Sequence, residues 1–391
     1  MRRHLRPVMT EMAALTCAAI LVFVALVWAT EVGQAEGPTR PSPAQAAPPA
    51  RYGHAVVQLG DFVYLFGGVG EGGVLLNDLW RFGPVSATSN QAQGYVRPLD
   101  EWAEITPANK PTARFGHTLV EMGGNYVILF GGQGEGGNAL DDISSYNPSA
   151  NNWTPLLSQG TPKPTPRYSH QAVSINDKMY VLGGLGSSGL TQGWLWGYNP
   201  GTGTWSQESF SPVGSPYDFS AANIGGQMVI WGGRGSEGTY LSMTWRYNPT
   251  TNWWTQLLIT TTQQAGSSYP IPGLQPMAAT LPARTANQAT ASQGNRMWVL
   301  GGQTQASSAV DNVWEFVFDN SAAVTANALE PLAASRTQAA AVALPQSGGQ
   351  SAFTRLLVFG GRRSGQALAE PVSYTAWSSP RRLFLPVITR N

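Results

Sequence analysis

The stretch RYGHAVVQLGDFVYLFGG, residues 51–68, holds two short apolar runs separated by turn residues and ends on a diglycine. Diglycines that close an apolar run return at 131–132, 183–184, 232–233, 301–302 and 360–361. The runs before the six pairs are FVYLF, YVILF, MYVL, MVIW, MWVL and RLLVF. Each is β-branched or aromatic, too short for a helix and bounded by turn residues, which is the pattern of a buried strand. The diglycine supplies the positive φ angles needed where such a strand turns sharply out of a crowded interior.

The flanking elements keep a constant order. Upstream lies a second apolar stretch, such as HAVVQL, HTLVEM or HQAVSI, and downstream come NDLWRF, DDISSY, GWLWGY, MTWRY, DNVWEF and PVSY. Three of these continue as YNPSANNW, YNPGTGTW and YNPTTNWW, which puts Tyr146, Tyr198 and Tyr247 seven residues before Trp153, Trp205 and Trp254. Asn-Pro opens a turn, so each segment predicts a hairpin with an aromatic residue on both strands. Four short strands per unit, repeated with 49 to 69 residues between diglycines, predict an all-β propeller of six blades. A lone blade cannot cover its faces, whereas neighbours packed around a ring can.

Over Arg51 to about Tyr374 the chain resembles the kelch-repeat family, in its strand-ending diglycine, the Asp-x-Trp/Ile-x-Tyr/Phe strand and the spaced Trp. The resemblance implies a six-bladed kelch-type β-propeller over 51–391, with blades starting near 51, 114, 167, 217, 284 and 336. The repeat weakens towards its end: EFVFDNSAAVTANALEPL in blade 5 lacks the expected Trp, and LFLPVI (383–388) is read as the outermost strand of blade 6, where Pro386 suits an edge.

The rest of the chain reads as an export apparatus. Residues 1–7, MRRHLRP, are basic, and 12–29, MAALTCAAILVFVALVWA, form an uncharged apolar run of 18 residues, between a signal-peptide core and a minimal membrane span. Residues 1–35 are therefore expected to be a signal peptide cut after Ala35 or Ala29, or an N-terminal membrane anchor, with the body outside the cytoplasm. Segment 36–50 is Pro/Ala-rich and reads as a linker. Cys17, the single cysteine, lies in the apolar run and lacks a lipobox, so no disulfide holds the exported body. A net charge of +1 with no basic run gives no electrostatic support for nucleic-acid binding.

Strand alternation places two kinds of position on one face of the ring: the residue opening each repeat and the residue after each diglycine. The first series reads Arg51, Arg114, Arg167, Tyr217, Arg284 and Arg336. The second reads Val69, Gln133, Leu185, Arg234, Gln303 and Arg362, with Arg363 adjacent. In kelch proteins that recognise acidic peptides or acidic sugars, arginines at such positions line the pocket, and the resemblance extends that role to this face. Guanidinium forks suit carboxylates, and several together raise the local potential. Structural pairing is the competing reading, with Glu71, Glu135 and Glu237 of the glycine-rich loops as partners. Arg234, Arg362 and Arg363 break the repeat and are the stronger ligand candidates. Two insertions, 83–101 and 256–283, lengthen loops, the second on the arginine face with Tyr269 and Pro270 as rim residues.

Several chemistries are excluded or unsupported. A copper–radical centre of the kind found in some kelch oxidases needs a cysteine that the exported body lacks, and the Glu-x-x-x-Asp-x-x-x-His iron pattern of certain plant kelch proteins is absent. His54, His117 and His170 occupy one repeat position, held by Ser220, Asn287 and Ala339 in later blades, so they are spread around the ring rather than converging on a metal. Trp102, Trp153, Trp205 and Trp254 read as blade packing, and Trp194, Trp196 and Trp231 as core more often than sugar platforms. No cofactor or metal is expected. The expected function is a non-catalytic binding or scaffolding module for a protein, an acidic peptide or an acidic glycan. The alternative is a sugar-modifying enzyme resembling the bacterial kelch sialic-acid epimerases.

Overall fold

The computed structural model describes residues 47–83, 102–156, 158, 162–261, 282–283, 285–319, 322–344, 353–369 and 372–377. The leader, the linker as far as residue 46, most of both insertions, Arg284 and the LFLPVI segment lie outside the described residues. No helix of the described residues is long and apolar enough to cross a membrane.

Each repeat folds into an antiparallel sheet. Blade 1 is β1 (Ala55–Leu59), β2 (Phe62–Val69), β3 (Leu75–Phe82) and β4 (Trp102–Ile105). Blade 2 is β5 (Thr118–Met122), β6 (Tyr126–Phe130), β7 (Ile143–Asn147) and β8 (Asn152–Pro155). Blade 3 is β9 (Gln171–Ile175), β10 (Lys178–Leu182), β11 (Trp194–Asn199) and β12 (Thr204–Phe210). Blade 4 is β13 (Ser220–Ile224), β14 (Gln227–Trp231), β15 (Thr244–Asn248) and β16 (Trp253–Thr261). Blade 5 is β17 (Ala289–Gln293), β18 (Arg296–Leu300), β19 (Val313–Phe318) and β20 (Ala323–Leu329). Blade 6 shows β21 (Ala340–Ala343), β22 (Phe353–Phe359) and β25 (Val372–Trp377), with a small hairpin of β23 (Arg362–Arg363) and β24 (Gln366–Ala367).

The Tyr and Trp of each YNP segment are direct cross-strand partners: Tyr146 faces Trp153, Tyr198 faces Trp205 and Tyr247 faces Trp254. Their ring centroids lie 5.2, 4.9 and 5.2 Å apart. The core is divided into six apolar clusters, one per blade junction, and the cluster of Leu357 and Phe359 with Val63, Leu65 and Trp102 joins blade 6 to blade 1. The first strands of neighbouring blades touch all the way round, including β1 with β21, so the ring is closed.

Blade 5 solves its missing tryptophan by exchanging sizes across a junction. Ala326 faces Phe316 where Trp153 faces Tyr146 in blade 2. The strand before the blade 4 diglycine ends in Trp231 where blades 1 and 2 end in Phe66 and Phe130. Trp231 is buried in the cluster that holds Ala326 and meets Phe316 at 5.1 Å. Blades 4 and 5 are also tied at their outer edges, because β16 and β20 pair in parallel from Leu258–Ala323 to Thr261–Ala326.

Candidate functional site

The diglycines position the site. The second glycine N–H of each pair donates to the opening carbonyl of the next blade: Gly68 to Arg114, Gly132 to Arg167, Gly184 to Pro216, Gly233 to Thr285, Gly302 to Arg336 and Gly361 to Arg51, at 2.7–2.9 Å. A Cβ on Gly67 would lie 2.8 Å from the Arg114 carbonyl oxygen, and φ there is +66°, so both sterics and backbone demand glycine. These bonds fix the repeat register. The openers of blades 4 and 5 are Pro216 and Thr285, one residue from Tyr217 and Arg284, and the histidine position is taken by Phe219 and Gln288 rather than Ser220 and Asn287. Neither blade has an arginine to mark its opening, so composition alone cannot find the register.

The opening arginines are interior braces rather than ligand groups. Arg51, Arg114, Arg167 and Arg336 are all buried. Arg51 donates to both Asp78 oxygens at 2.6 Å and to the Gly67 carbonyl at 3.0 Å. Arg114 repeats this with Asp142, at 2.6 and 2.8 Å, and the Gly131 carbonyl. Arg167 and Arg336 donate to the Gly183 and Gly360 carbonyls. Burial alone would push the Asp78 carboxyl up, but the Arg51 hydrogen bonds and charge, with the Trp80 indole N–H, hold it below its ordinary value. Burial lowers Arg167 to about 10. The loop acids Glu71, Glu135 and Glu237 are exposed and form no ion pair among the described residues; the acids that pair with the opening arginines are Asp78 in β3 and Asp142 just before β7.

The histidines wedge between blades. His54, His117 and His170 stand edge-on to Phe359, Phe66 and Phe130 of the preceding blade at 5.5, 5.5 and 5.3 Å. Burial, then the Arg51 charge, hold His54 down to about 3, against a smaller opposing pull from the Phe359 carbonyl. Burial and the neighbouring arginine likewise hold His117 and His170 well below 6.5. No group of three or more His, Cys, Asp or Glu side chains placed to hold a metal ion occurs among the described residues.

Above them the channel narrows to a ring built by the main chain. Gly116 N–H donates to the Gly53 carbonyl, Ser169 to Gly116, Asp218 to Ser169, Asn287 to Asp218, Gln338 to Asn287 and Gly53 to Gln338, at 2.8–3.1 Å. All six residues have φ between +55° and +63°, a conformation that Gly, Asn and Asp adopt most readily. The ring and the residues beneath it line a cavity of about 100 Å³. Asp218 is its acid: burial pushes the carboxyl up, while the Ser169 and Asn287 side chains and the Arg234 charge favour the ionised form.

The residues just before this ring form an aromatic arc over blades 1 to 4, namely Tyr52, Phe115, Tyr168 and Tyr217, each half-buried. Phe115 and Tyr168 lie 6.0 Å apart. Burial, with Asp218 and Tyr217 nearby, pushes the Tyr168 hydroxyl pKa up. Each arc residue pairs its backbone with a post-diglycine residue: Tyr52 with Val69, Phe115 with Gln133, Tyr168 with Leu185 and Tyr217 with Arg234.

Arg234 and Arg362 complete the mouth. The Arg234 guanidinium sits 5.0 Å from the Tyr240 ring centre and 5.9 Å from that of Tyr217. It donates to the Tyr240 hydroxyl at 3.1 Å, and Gln303 donates to the same oxygen at 3.2 Å. Arg362 lies 5.1 Å over Tyr52. Both arginines are half-buried, Arg363 is exposed, and none of the three has a carboxylate at ion-pair distance among the described residues. Gln133 is committed to its own loop through the Gly137 carbonyl at 2.8 Å. Of the predicted residues, the structure therefore brings Tyr217, Arg234 and Gln303 together around Tyr240, sets Arg362 over Tyr52, and sends Arg51, Arg114, Arg167 and Arg336 into the blades. Tyr52, Phe115, Tyr168, Tyr240 and Asp218 were not read from sequence. The aromatic beside each opening Arg was visible in RYGH, RFGH and RYSH; Tyr240 and Asp218 carry no repeat signal.

The Trp assignments divide similarly. Trp102, Trp153, Trp205, Trp254, Trp196 and Trp231 are buried, whereas Trp194 is 43% exposed against Phe210.

A closed six-bladed ring with these latches makes the chain a kelch-repeat β-propeller. The family model of the KLHDC2/KLHL20/DRC7 kelch-repeats domain matches residues 96–271. An Arabidopsis thaliana F-box/kelch-repeat protein, At1g51550, is 33% identical over 156 residues, which is 38% of this chain and 30% of that protein. Beta-scruin of Limulus polyphemus is 32% identical over 145 residues, 36% of this chain and 14% of its own length. The Dictyostelium discoideum Rho GTPase-activating protein gacHH is 34% identical over 122 residues, 31% of this chain but 7% of its own. The matches thus span less than a third of each of these relatives. The solved structure of YjhT superposes with a TM-score of 0.60 at 17% identity, covering 84% of this chain and 96% of that one, a likeness of fold alone.

Proposed function

We propose that the chain is an exported binding module whose channel mouth captures a carboxylate-bearing ligand, either an acidic glycan or an acidic segment of a partner protein. One observation carries this reading. Arg234 and Arg362 are half-buried against aromatic faces with no carboxylate partner among the described residues. Guanidinium groups held by rings on one side keep their fork free on the other, and partial desolvation strengthens a charge-assisted pair. The aromatic arc offers flat apolar faces for a sugar ring or an extended peptide. Export rests on the basic flank and apolar run of residues 1–29; N-terminal sequencing of secreted protein tests it.

A binding screen of purified protein against acidic and neutral glycans and peptides tests the main reading. Acidic members should be retained, and Arg234→Ala with Arg362→Ala should lose them. Retention by that variant equal to the parent would sink the arginine mouth. An enzyme on a sugar acid is the second reading, favoured by the Asp218 carboxyl, whose proton affinity burial raises at the cavity neck. Turnover of N-acetylneuraminate by the protein would establish that reading over simple binding.

A further inference from the structure

The cavity below the mouth has the opposite electrical character to the mouth itself. Its lining comprises the ring residues, the histidines beneath them, Gln288 and Gln338. The three imidazoles are held neutral, and Asp218 is the one acidic side chain in the described lining. Burial pushes its carboxyl up, while the Ser169 and Asn287 side chains and the Arg234 charge pull the other way, so a cation seated beside it would favour the carboxylate. Two further acceptors stand in the same wall. The side-chain oxygens of Gln288 and Gln338 are buried and have no hydrogen-bond partner. Gln288 is 7% exposed, and its Nε2 is fixed by the Trp231 carbonyl at 3.3 Å, which leaves the oxygen as the unpaired end. A buried acceptor without a donor is costly, so such atoms mark where a donor belongs.

We propose that this cavity is a subsite for a primary ammonium group, and that Asp218 is the residue selecting for it. A proton-rich head fits for three reasons. Its charge complements the lone carboxylate. Its three N–H donors match three acceptor groups, namely Asp218, Gln288 and Gln338. Its size suits about 100 Å³. The inference deepens the reading of the mouth and rests on it: carboxylate outside at Arg234 and Arg362, ammonium inside at Asp218, hence a zwitterionic ligand such as an amino-sugar acid. A dicarboxylate of the same length would set its second charge against Asp218.

Isothermal titration of the full-length protein at neutral pH separates the two subsites. The probes are ω-amino carboxylates of graded length, the matched monocarboxylates and the matched alkylamines. At one preferred length, the amino carboxylate should bind at least about tenfold more tightly than its monocarboxylate. Asp218→Asn, nearly isosteric, should remove that gain without weakening monocarboxylate binding and with the melting temperature within error. No gain from the amine, or a gain that survives Asp218→Asn, overturns the ammonium subsite. Arg234-dependent binding of plain carboxylates would in that case leave the mouth reading intact. Asp218-dependent binding of alkylamines without any carboxylate binding would do the reverse, and failure of all three probe sets overturns both.

Discussion

Two sets of arginines share one face of this propeller and do opposite things. Arg51 and Arg114 are buried, bidentate to Asp78 and Asp142, and donate to diglycine carbonyls as well. Arg234 and Arg362 sit a few residues away in the repeat, against tyrosine rings, with no carboxylate at ion-pair distance among the described residues. Side-chain chemistry is the same in both. What differs is the supply of partners: the latch arginines each hold a carboxylate and a diglycine carbonyl, whereas the mouth arginines have no carboxylate at ion-pair distance among the described residues. A repeated arginine is thus evidence for architecture, and an arginine that interrupts a repeat is evidence for recognition.

The comparison can be broken at the latch first. Arg114→Ala strands the Gly131 carbonyl and removes the partner of the half-exposed Asp142 carboxylate, and should cost about 2–3 kcal/mol in urea unfolding. A loss under about 1 kcal/mol would mean that the latch is a bystander. Next comes the glycine under it. Gly131→Ala places a Cβ 2.7 Å from the Arg167 carbonyl oxygen at φ +61°, and should cost about 1–3 kcal/mol by the same assay. Gly60→Ala meets no atom within 4 Å and isolates the φ penalty alone.

The histidines give a smaller, pH-dependent effect. Their imidazoles titrate near 6.5 when unfolded and far lower when folded, His54 at about 3. As pH falls below 6.5 the unfolded chain takes up protons that the folded chain refuses, so stability present above 6.5 is lost progressively towards pH 3. His117→Gln, the side chain that blade 5 uses at this position as Gln288, should flatten that slope by about 1.4 kcal/mol per pH unit below 6 while changing little at pH 8. A slope unchanged by the substitution would mean that His117 is not the neutral wedge described.

Much of the fold was legible because propellers repeat their constraints. The diglycines and the strand runs before them reflect one packing problem solved six times, and the Tyr–Trp spacing recurs in blades 2, 3 and 4. The register failed in blades 4 and 5, where Pro216 and Thr285 replace the opening Arg and only the backbone bonds from Gly184 and Gly233 identify the position. The site was half legible. Arg234 and Arg362 stood out by breaking the pattern, and Tyr217 and Gln303 lay in the right series. The main-chain ring leaves no side-chain signature, since Gly, Ser, Asp, Asn and Gln all serve in it. Tyr240 meets Arg234 through a loop that departs from the GEGG shared by blades 1 and 2, and Asp218 becomes a cavity acid only once the ring closes.

The division between latch and mouth is tested most directly by measuring melting temperature and carboxylate binding on the same Arg234→Ala/Arg362→Ala protein. The account predicts a melting temperature within about 2 °C of the parent, together with loss of binding to an acidic glycan or peptide that the parent retains. Undiminished binding, or a collapse in stability like that of Arg114→Ala, would contradict it.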